Sequence, residues 1–209
     1  MPVRALLAGL AGHDGEAPVL LTVPRVEAGV GFTLPSMERP SSRANADRRV
    51  VEDTTAETSV RFSIDVAASI EHAFRVFTEG IDSWWPRDHH IGAVDMAAAI
   101  LEPRTGGRWY ELGVDGSECE WGIVLAWDPP GHLALSWHLD GDFRYVPGAE
   151  LASRVDVHFE ATGEHMTRVT LEHSGLDRHG PTWRRLREGI TRGWPADLRR
   201  FALSAETSA

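Results

Sequence analysis

The chain contains no lysine, a single cysteine and no long apolar run, and each shortage excludes a class of protein. All 21 basic residues are arginine, which excludes chemistry that needs a lysine Schiff base. Cys119 alone can form neither an intramolecular disulfide nor a multi-cysteine zinc site, which fits a reducing compartment. No apolar segment approaches the ~20 residues that span a bilayer, so we expect no membrane insertion and a cytoplasmic location.

Positive charge is also scarce. The formal net charge is −10 at pH 7, and 42% of the residues are apolar against 25% charged. These proportions are typical of a globular protein. Proteins that bind nucleic acids or anionic membrane surfaces usually present basic faces. The negative net charge therefore argues against both as partners of this protein.

The composition changes near residue 58. Residues 36–58 are rich in Ser, Arg, Asp, Glu and Thr and contain no aromatic residue, which is too little apolar surface to offset the entropy of ordering. We therefore predict that residues 1–58 form a mostly disordered N-terminal tail with room for one short strand. Met37 is an alternative start, in which case the preceding residues come from a mis-called start. Residues 59–206 are predicted to form a single folded domain.

Alternating apolar and polar residues predict strands in this domain. In "SVRFSIDV", Val60, Phe62, Ile64 and Val66 share one face, which indicates a half-buried strand. Turn residues separate the later segments, as antiparallel hairpins require. The predicted strands are 59–66, 95–103, 107–114, 119–128, 132–139, 153–161 and 167–174.

Two helical patterns flank the strands. Ser69 is a predicted N-cap for a first helix with Phe74 and Phe77 on its apolar face. The last segment reads as a long helix that Gly193 and Pro195 either kink or split in two. The order strand, helix, six strands, helix predicts an α+β fold: a curved antiparallel sheet of about seven strands wrapped around a long C-terminal helix.

Four segments of this chain resemble a known superfamily: "AFRVFTEGIDSWWP", "ILEPRTGGRWYE", "VLAWDPPGHLALSW" and "TRVTLEHSGLDRHG". Over residues 59–206 the chain is similar to the START-like helix-grip (SRPBCC) superfamily. Within it, the chain resembles the polyketide-cyclase-like bacterial group related to the C-terminal domain of the activator of the heat-shock-chaperone ATPase (AHSA). The resemblance implies an apolar cavity beneath the C-terminal helix that holds small hydrophobic molecules. Members include carriers, receptors, aromatic cyclases and co-chaperone modules, so the resemblance does not choose among these functions.

The predicted strand faces place several aromatic side chains and two polar ones on one surface. Trp109 shares a strand face with Glu111, and Leu171 shares one with His173. These residues either line an aromatic pocket or fill a core, and both interpretations remain open. The predicted ligand-binding residues are Trp85, Trp109, Glu111, Trp121, Trp137, Leu171 and His173.

The sequence predicts no catalytic residue, no metal site and no cofactor. His89 and His90 are adjacent, so their side chains diverge and cannot chelate one ion together. Cys119 lies among carboxylates, which raise the pKa of a thiol. No Gly-x-Ser-x-Gly, phosphate-loop or dinucleotide-binding motif is present.

We therefore predict that the domain binds a small hydrophobic or aromatic molecule between sheet and C-terminal helix, with His173 as polar anchor. A binding protein is favoured over an enzyme. One alternative is a cyclase- or hydrolase-like enzyme that uses His173 or Glu111 as acid or base. The other is a stress-related, co-chaperone-like interaction module with a fully packed interior. The sequence identifies no protein partner.

Overall fold

The computed structural model of this chain describes residues 50–53 and 57–207. Most of the predicted tail, residues 1–58, lies outside the described residues, as does Met37. The disordered tail and the alternative start therefore remain predictions.

Eight strands form one sheet in which every neighbouring pair is antiparallel. The strands are β1 (Val51–Asp53), β2 (Val60–Val66), β3 (Met96–Leu101), β4 (Arg108–Gly113), β5 (Glu118–Asp128), β6 (His132–Trp137), β7 (Ser153–Gly163) and β8 (Met166–Ser174). Their order across the sheet is β1-β2-β8-β7-β6-β5-β4-β3. The seven predicted strands are all present, and β1 adds an eighth.

Side-chain alternation determines which face of the sheet is buried. On β2, the four apolar residues that alternate in the sequence are all buried, as predicted. Phe62 pairs with Leu171 on β8, and Val60 pairs with His173. Because paired residues project to the same side of a sheet, Leu171 and His173 enter the core beside these apolar side chains.

The helices complete the core. Helix α1 (Ile70–Phe77) begins after Ser69, whose hydroxyl accepts a hydrogen bond from the backbone N–H of His72 at 3.3 Å, which confirms the predicted cap. A 3-10 turn (Ile81–Ser83) follows α1, and another (Leu176–Thr182) precedes helix α2 (Trp183–Thr207). Helix α2 runs through Pro195 as one element and is not split.

One apolar core contains the inner face of the sheet and the inner face of α2. The predicted α+β helix-grip architecture is therefore confirmed. Among the described residues, no helix combines the length and the apolar character that a membrane span requires.

Candidate functional site

All seven predicted ligand-binding residues are buried. Trp109 and Glu111 lie on β4, Trp121 on β5, Trp137 on β6, and Leu171 and His173 on β8, while Trp85 follows the first 3-10 turn. None of the seven side chains exposes more than 7% of its surface. The sequence pattern therefore identified one interior region of the fold.

Indole rings fill this region. The ring of Trp85 lies 5.1 Å from that of Trp121 and 5.9 Å from that of Trp109, measured between ring centroids. The rings of Trp109 and Trp137 are 5.6 Å apart. These separations lie in the range of direct aromatic contact, so the rings pack against each other. We call Trp85, Trp109, Trp121, Trp137 and Trp194 the indole cluster.

Trp194 was not among the predicted site residues. It lies on α2, with its ring centroid 6.0 Å from that of Trp137 and 6.1 Å from that of Trp85. The sequence contained a signal for it, because Trp194 follows Ile190 by four residues and therefore continues the buried helix face. The cluster is thus closed from the helix side as well as from the sheet.

His173 is fully buried and hydrogen-bonded at both ring nitrogens. Its Nδ1 accepts a hydrogen bond from Nε1–H of Trp194 at 3.3 Å. Burial, with a smaller contribution from the neighbouring His179, lowers the pKa of His173 to about 3. The ring is therefore neutral near pH 7, and its proton resides on Nε2, because an indole N–H can only donate.

Ser153 and His179 continue the hydrogen bonds from His173. The Nε2–H of His173 donates to Ser153 Oγ at 2.7 Å, and Ser153 Oγ–H donates to Nε2 of His179 at 2.8 Å. Burial lowers the pKa of His179 as well, although Asp140 opposes this shift. A neutral His179 that accepts at Nε2 carries its proton on Nδ1. That nitrogen is buried and has no partner among the described residues.

Trp194, His173, Ser153 and His179 form a row of hydrogen bonds that we call the polar chain. Its direction is fixed because the indole N–H of Trp194 can only donate. Trp194 donates to His173, His173 to Ser153, and Ser153 to His179, which leaves an unpaired N–H at the end. The strand pattern predicts His173 as a site residue but gives no signal for Ser153 or His179. Ser153 begins a strand and His179 lies in a 3-10 turn, so their meeting depends on tertiary structure alone.

Glu111 anchors the loop that carries Trp85. Its carboxylate accepts hydrogen bonds from the backbone N–H groups of Ile91 and Gly92 and, at 3.0 Å, from Nε1–H of Trp121. Burial and the Glu111 carboxylate together raise the pKa of the Cys119 thiol. The arrangement therefore fixes a loop and weakens Cys119 as a nucleophile.

The loop after Trp85 is also attached to α2. The indole Nε1–H of Trp85 donates to the His89 carbonyl oxygen at 3.2 Å. Nδ1 of His89 lies 3.6 Å from Oδ2 of Asp197, a buried carboxylate on α2. The neighbouring Asp197 carboxylate raises the pKa of His89, although burial opposes this shift. His89 thus connects the Trp85 loop to the helix.

Two surface pockets lie outside the indole cluster. One, of about 300 Å³, is lined mainly by outward-facing residues of β5, β6 and β7 and by Ser153 and Arg178. The other, of about 270 Å³, lies between α1 and the β5–β6 hairpin. Neither is lined by any of the seven predicted residues, although the first contacts the polar chain at Ser153.

The chain is similar to one protein family and to several solved structures. The sequence profile of the family described as Activator of Hsp90 ATPase homolog 1-like protein matches residues 67–204. The self-sacrificing resistance protein CalC from Micromonospora echinospora is 32% identical, with a TM-score of 0.56; the match covers 73% of this chain and 97% of CalC.

Two further structures are similar. The anthrahydroquino-γ-pyrone synthase Txn09 is 39% identical over 69% of this chain and 95% of its own, with a TM-score of 0.49. Protein NE0264 from Nitrosomonas europaea shares the fold at 17% identity, with a TM-score of 0.52 over 73% of this chain and 97% of its own. No curated protein sequence matches significantly.

Proposed function

We propose that this chain, which belongs to the family of Activator of Hsp90 ATPase homolog 1-like proteins, binds a small apolar or aromatic molecule between its sheet and α2. Its fold is that of proteins with ligand-binding or cyclase-type functions. The indole cluster and Leu171 would provide the contact area, and His173 would act through Ser153 to orient the polar anchor, the Nδ1–H of His179.

The polar chain is the observation that carries this proposal. An unpaired buried N–H costs roughly 1–3 kcal/mol, and His179 Nδ1–H is such a group. The two residues of the polar chain that can titrate, His173 and His179, are both neutral imidazoles. The site can therefore orient an uncharged ligand without burying a charge. A carbonyl or phenol oxygen of the ligand would accept a hydrogen bond from the polar chain. The indole rings would cover the apolar part of the ligand, and burial of apolar surface contributes ~25 cal/mol per Å² to the free energy of binding.

Binding requires the indole rings to separate, because they contact each other directly. Trp85 is the ring best suited to move, since it is carried by a loop while Trp109, Trp121 and Trp137 lie on strands. In this proposal the ligand replaces the edge-to-face contacts of Trp85. Glu111 and His89 hold the loop in place and do not touch the ligand.

Ligand capture tests the proposal. Native mass spectrometry of the purified full chain detects a co-purified molecule, and quenching of tryptophan fluorescence by planar phenols and quinones measures binding. We expect Trp85→Leu and His173→Gln to weaken binding roughly tenfold or more, which corresponds to 1.4 kcal/mol. Trp183→Leu is the matched control, because Trp183 lies at the start of α2 and stacks against Arg184.

The outcomes separate the alternatives. Saturable binding that depends on Trp85 and His173 supports the proposal. Binding that all three substitutions weaken equally, or no binding by any compound, contradicts it. The absence of binding together with a stable, packed interior would favour the interaction module.

A second candidate function, catalysis in the same region, is favoured by one contact. Ser153 Oγ–H donates to His179 Nε2 at 2.8 Å, which is the arrangement of a hydroxyl nucleophile with its general base. Ser153 also lines the 300 Å³ pocket. Ligand turnover by the wild type that Ser153→Ala abolishes, with binding retained, would support an enzyme.

A further inference from the structure

We propose that His132, Asp156 and His158 form a binding site for a divalent transition-metal ion on the outer face of the sheet. The site is separate from the proposed ligand-binding region, because these residues face away from the core. It departs from the expectation, drawn from the sequence, that the chain has no metal site. The earlier candidates were His89 and His90. Neither of those two residues takes part.

Strand register brings the three side chains together. His132 on β6 pairs directly with His158 on β7, and Asp156 lies two residues before His158 on the same strand. Directly opposed side chains and residues two apart on one strand share a face. The neighbours Leu133 and Val157 are buried, so the three side chains lie on the opposite, outer face.

The donor atoms are already close to one another. Nε2 of His132 lies 2.9 Å from Oδ1 of Asp156, and the rings of His132 and His158 are stacked with centroids 4.5 Å apart. One ligand atom from each of the three residues lies within 4.8 Å of the others. Ligands of a tetrahedral zinc ion are about 3.4 Å apart, given bonds of about 2.0–2.1 Å. A modest turn of the exposed His158 ring would bring its nitrogen to that separation.

A second carboxylate, that of Asp128, faces the other ring nitrogen of His132. Asp128 on β5 pairs with His132, and its Oδ2 lies 3.5 Å from Nδ1 of that ring. The three strands therefore present Asp128, His132 and His158 in one row, with Asp156 diagonal to His132. Asp128 can therefore orient the His132 ring from outside the site, as outer partners of metal-bound histidines do. Two imidazoles and the Asp156 carboxylate are a donor set that suits zinc, nickel and copper more than calcium or magnesium.

Arg154 determines how Asp156 would bind the ion. Its Nε donates to Asp156 Oδ2 at 2.6 Å, and its Nη2 donates to Oδ1 at 2.8 Å. In the metal-bound state Arg154 keeps its hydrogen bond to Oδ2 of Asp156. The ion then lies between Oδ1 of Asp156 and Nε2 of His132, where the proton of that hydrogen bond lies in the metal-free protein. A carboxylate held in this way is oriented by an outer hydrogen bond, as metal ligands commonly are. The positive charge of Arg154 weakens the site, so its removal should strengthen binding.

Metal titration of the untagged full chain tests the site. Isothermal titration calorimetry with Zn²⁺ should show one equivalent bound, and Co²⁺ should develop the visible absorption of a tetrahedral imidazole–carboxylate complex. We expect His132→Gln and His158→Gln each to weaken Zn²⁺ binding roughly tenfold or more. Arg154→Gln should tighten it.

His165→Gln is the matched control, because His165 lies in the exposed β7–β8 turn and exposes 81% of its side chain. It should bind Zn²⁺ as the wild type does. Near-ultraviolet circular dichroism of each metal-free variant verifies the fold. The exposed His158 provides the decisive variant if His132→Gln impairs folding.

Three results would overturn the proposal. They are a stoichiometric Zn²⁺ site that survives both His132→Gln and His158→Gln, an equal loss of affinity in His165→Gln, and no saturable binding by the wild type. None of these results bears on the ligand-binding proposal, because the indole cluster lies on the other face of the sheet.

Discussion

Nε1 of Trp194 donates a hydrogen bond to Nδ1 of His173 across 3.3 Å, and this contact joins the C-terminal helix to the eighth strand. The bond requires a neutral imidazole, because a protonated ring carries a hydrogen on both nitrogens and cannot accept. Packing of α2 against the sheet is therefore linked to the protonation state of one buried side chain.

The first prediction concerns acid stability. His173 has a pKa of about 3 in the folded protein and about 6.5 when unfolded. Well above pH 6.5, His173 is neutral in both the folded and the unfolded protein, so the difference in its pKa does not change the free energy of unfolding. As the pH falls from 6.5 towards 3, only the unfolded state gains the proton, so the free energy of unfolding decreases by roughly 3 kcal/mol at pH 4.5.

Urea denaturation between pH 7 and pH 4.5 measures this loss. His173→Gln keeps an acceptor and a donor but cannot titrate, so its stability should fall less steeply with acid than that of the wild type. His165→Gln, in an exposed turn, should retain the wild-type slope. Identical slopes for wild type and His173→Gln would contradict the prediction.

The second prediction concerns Glu111. Replacement by Gln leaves a single carboxamide oxygen for the N–H groups of Ile91, Gly92 and Trp121, and places an NH₂ group against one of these donors. We expect Glu111→Gln to lower the free energy of unfolding by roughly 2–3 kcal/mol. The exposed Glu164→Gln should change stability little.

Thermal or urea unfolding of the two variants measures the difference. The Cys119 thiol of Glu111→Gln should also react faster with a thiol reagent than that of the wild type, because the carboxylate that helps to raise its pKa is gone. Equal stability of Glu111→Gln and Glu164→Gln would show that the loop does not depend on this carboxylate.

The third prediction concerns His89 and Asp197. The Asp197 carboxylate, whose Oδ2 lies 3.6 Å from Nδ1 of His89, raises the pKa of His89. A raised pKa stabilises the folded state below the unfolded value of about 6.5, and this contribution is lost as the pH rises through the folded pKa. NMR titration of Asp197→Asn should therefore give a lower pKa for His89 than the wild type.

Arg200 supplies a control of opposite sign. Its charge lowers the pKa of His89, so Arg200→Gln should raise that pKa above the wild-type value. A shift in the same direction for both variants would argue against the ion pair as the cause.

The fourth prediction concerns the close approach of β5 to Trp109. Nε1–H of Trp109 donates to the Ser136 carbonyl oxygen at 2.9 Å directly over Gly122. A methyl group at Gly122 would overlap that carbonyl oxygen and lie 2.5 Å from the indole nitrogen. We expect Gly122→Ala to destabilise the protein by roughly 3 kcal/mol.

Gly163→Ala is the matched control on β7. A methyl group there meets only the Met166 side chain at 3.5 Å, an ordinary contact. Its melting temperature should stay close to that of the wild type. A similar loss in both variants would indicate a general cost of replacing strand glycines.

The sequence was sufficient for the fold and for the location of the aromatic residues, because both follow from local periodicity. Alternation on β2 predicted its buried face, and the predicted cap Ser69 is present. Trp194 was missed although helical spacing from Ile190 pointed to it. Of the two alternatives for Gly193 and Pro195, the split is wrong, because α2 runs through Pro195 as one element.

The polar contacts could not be predicted because they depend on register and on tertiary approach. Ser153 meets His173 only because β7 pairs with β8, and His179 arrives from a turn that follows β8. His132 meets His158 through the register of β6 with β7. These contacts cannot be predicted from the spacing of the residues along the sequence.

The position of β2 beside β8 has a consequence for how the protein is made. Ser63 and Thr170, 107 positions apart in the chain, share a hydrogen bond of 3.0 Å across this pair. During translation β2 leaves the ribosome long before its partner is synthesised, and α2, which closes the core, comes later still. Such distant pairings slow folding and leave apolar strand surface exposed in the meantime. The apolar side chains of Phe62 and Ile64 therefore stay uncovered on the nascent chain until β8 and α2 have been synthesised, and exposed apolar strands of this kind are prone to aggregation.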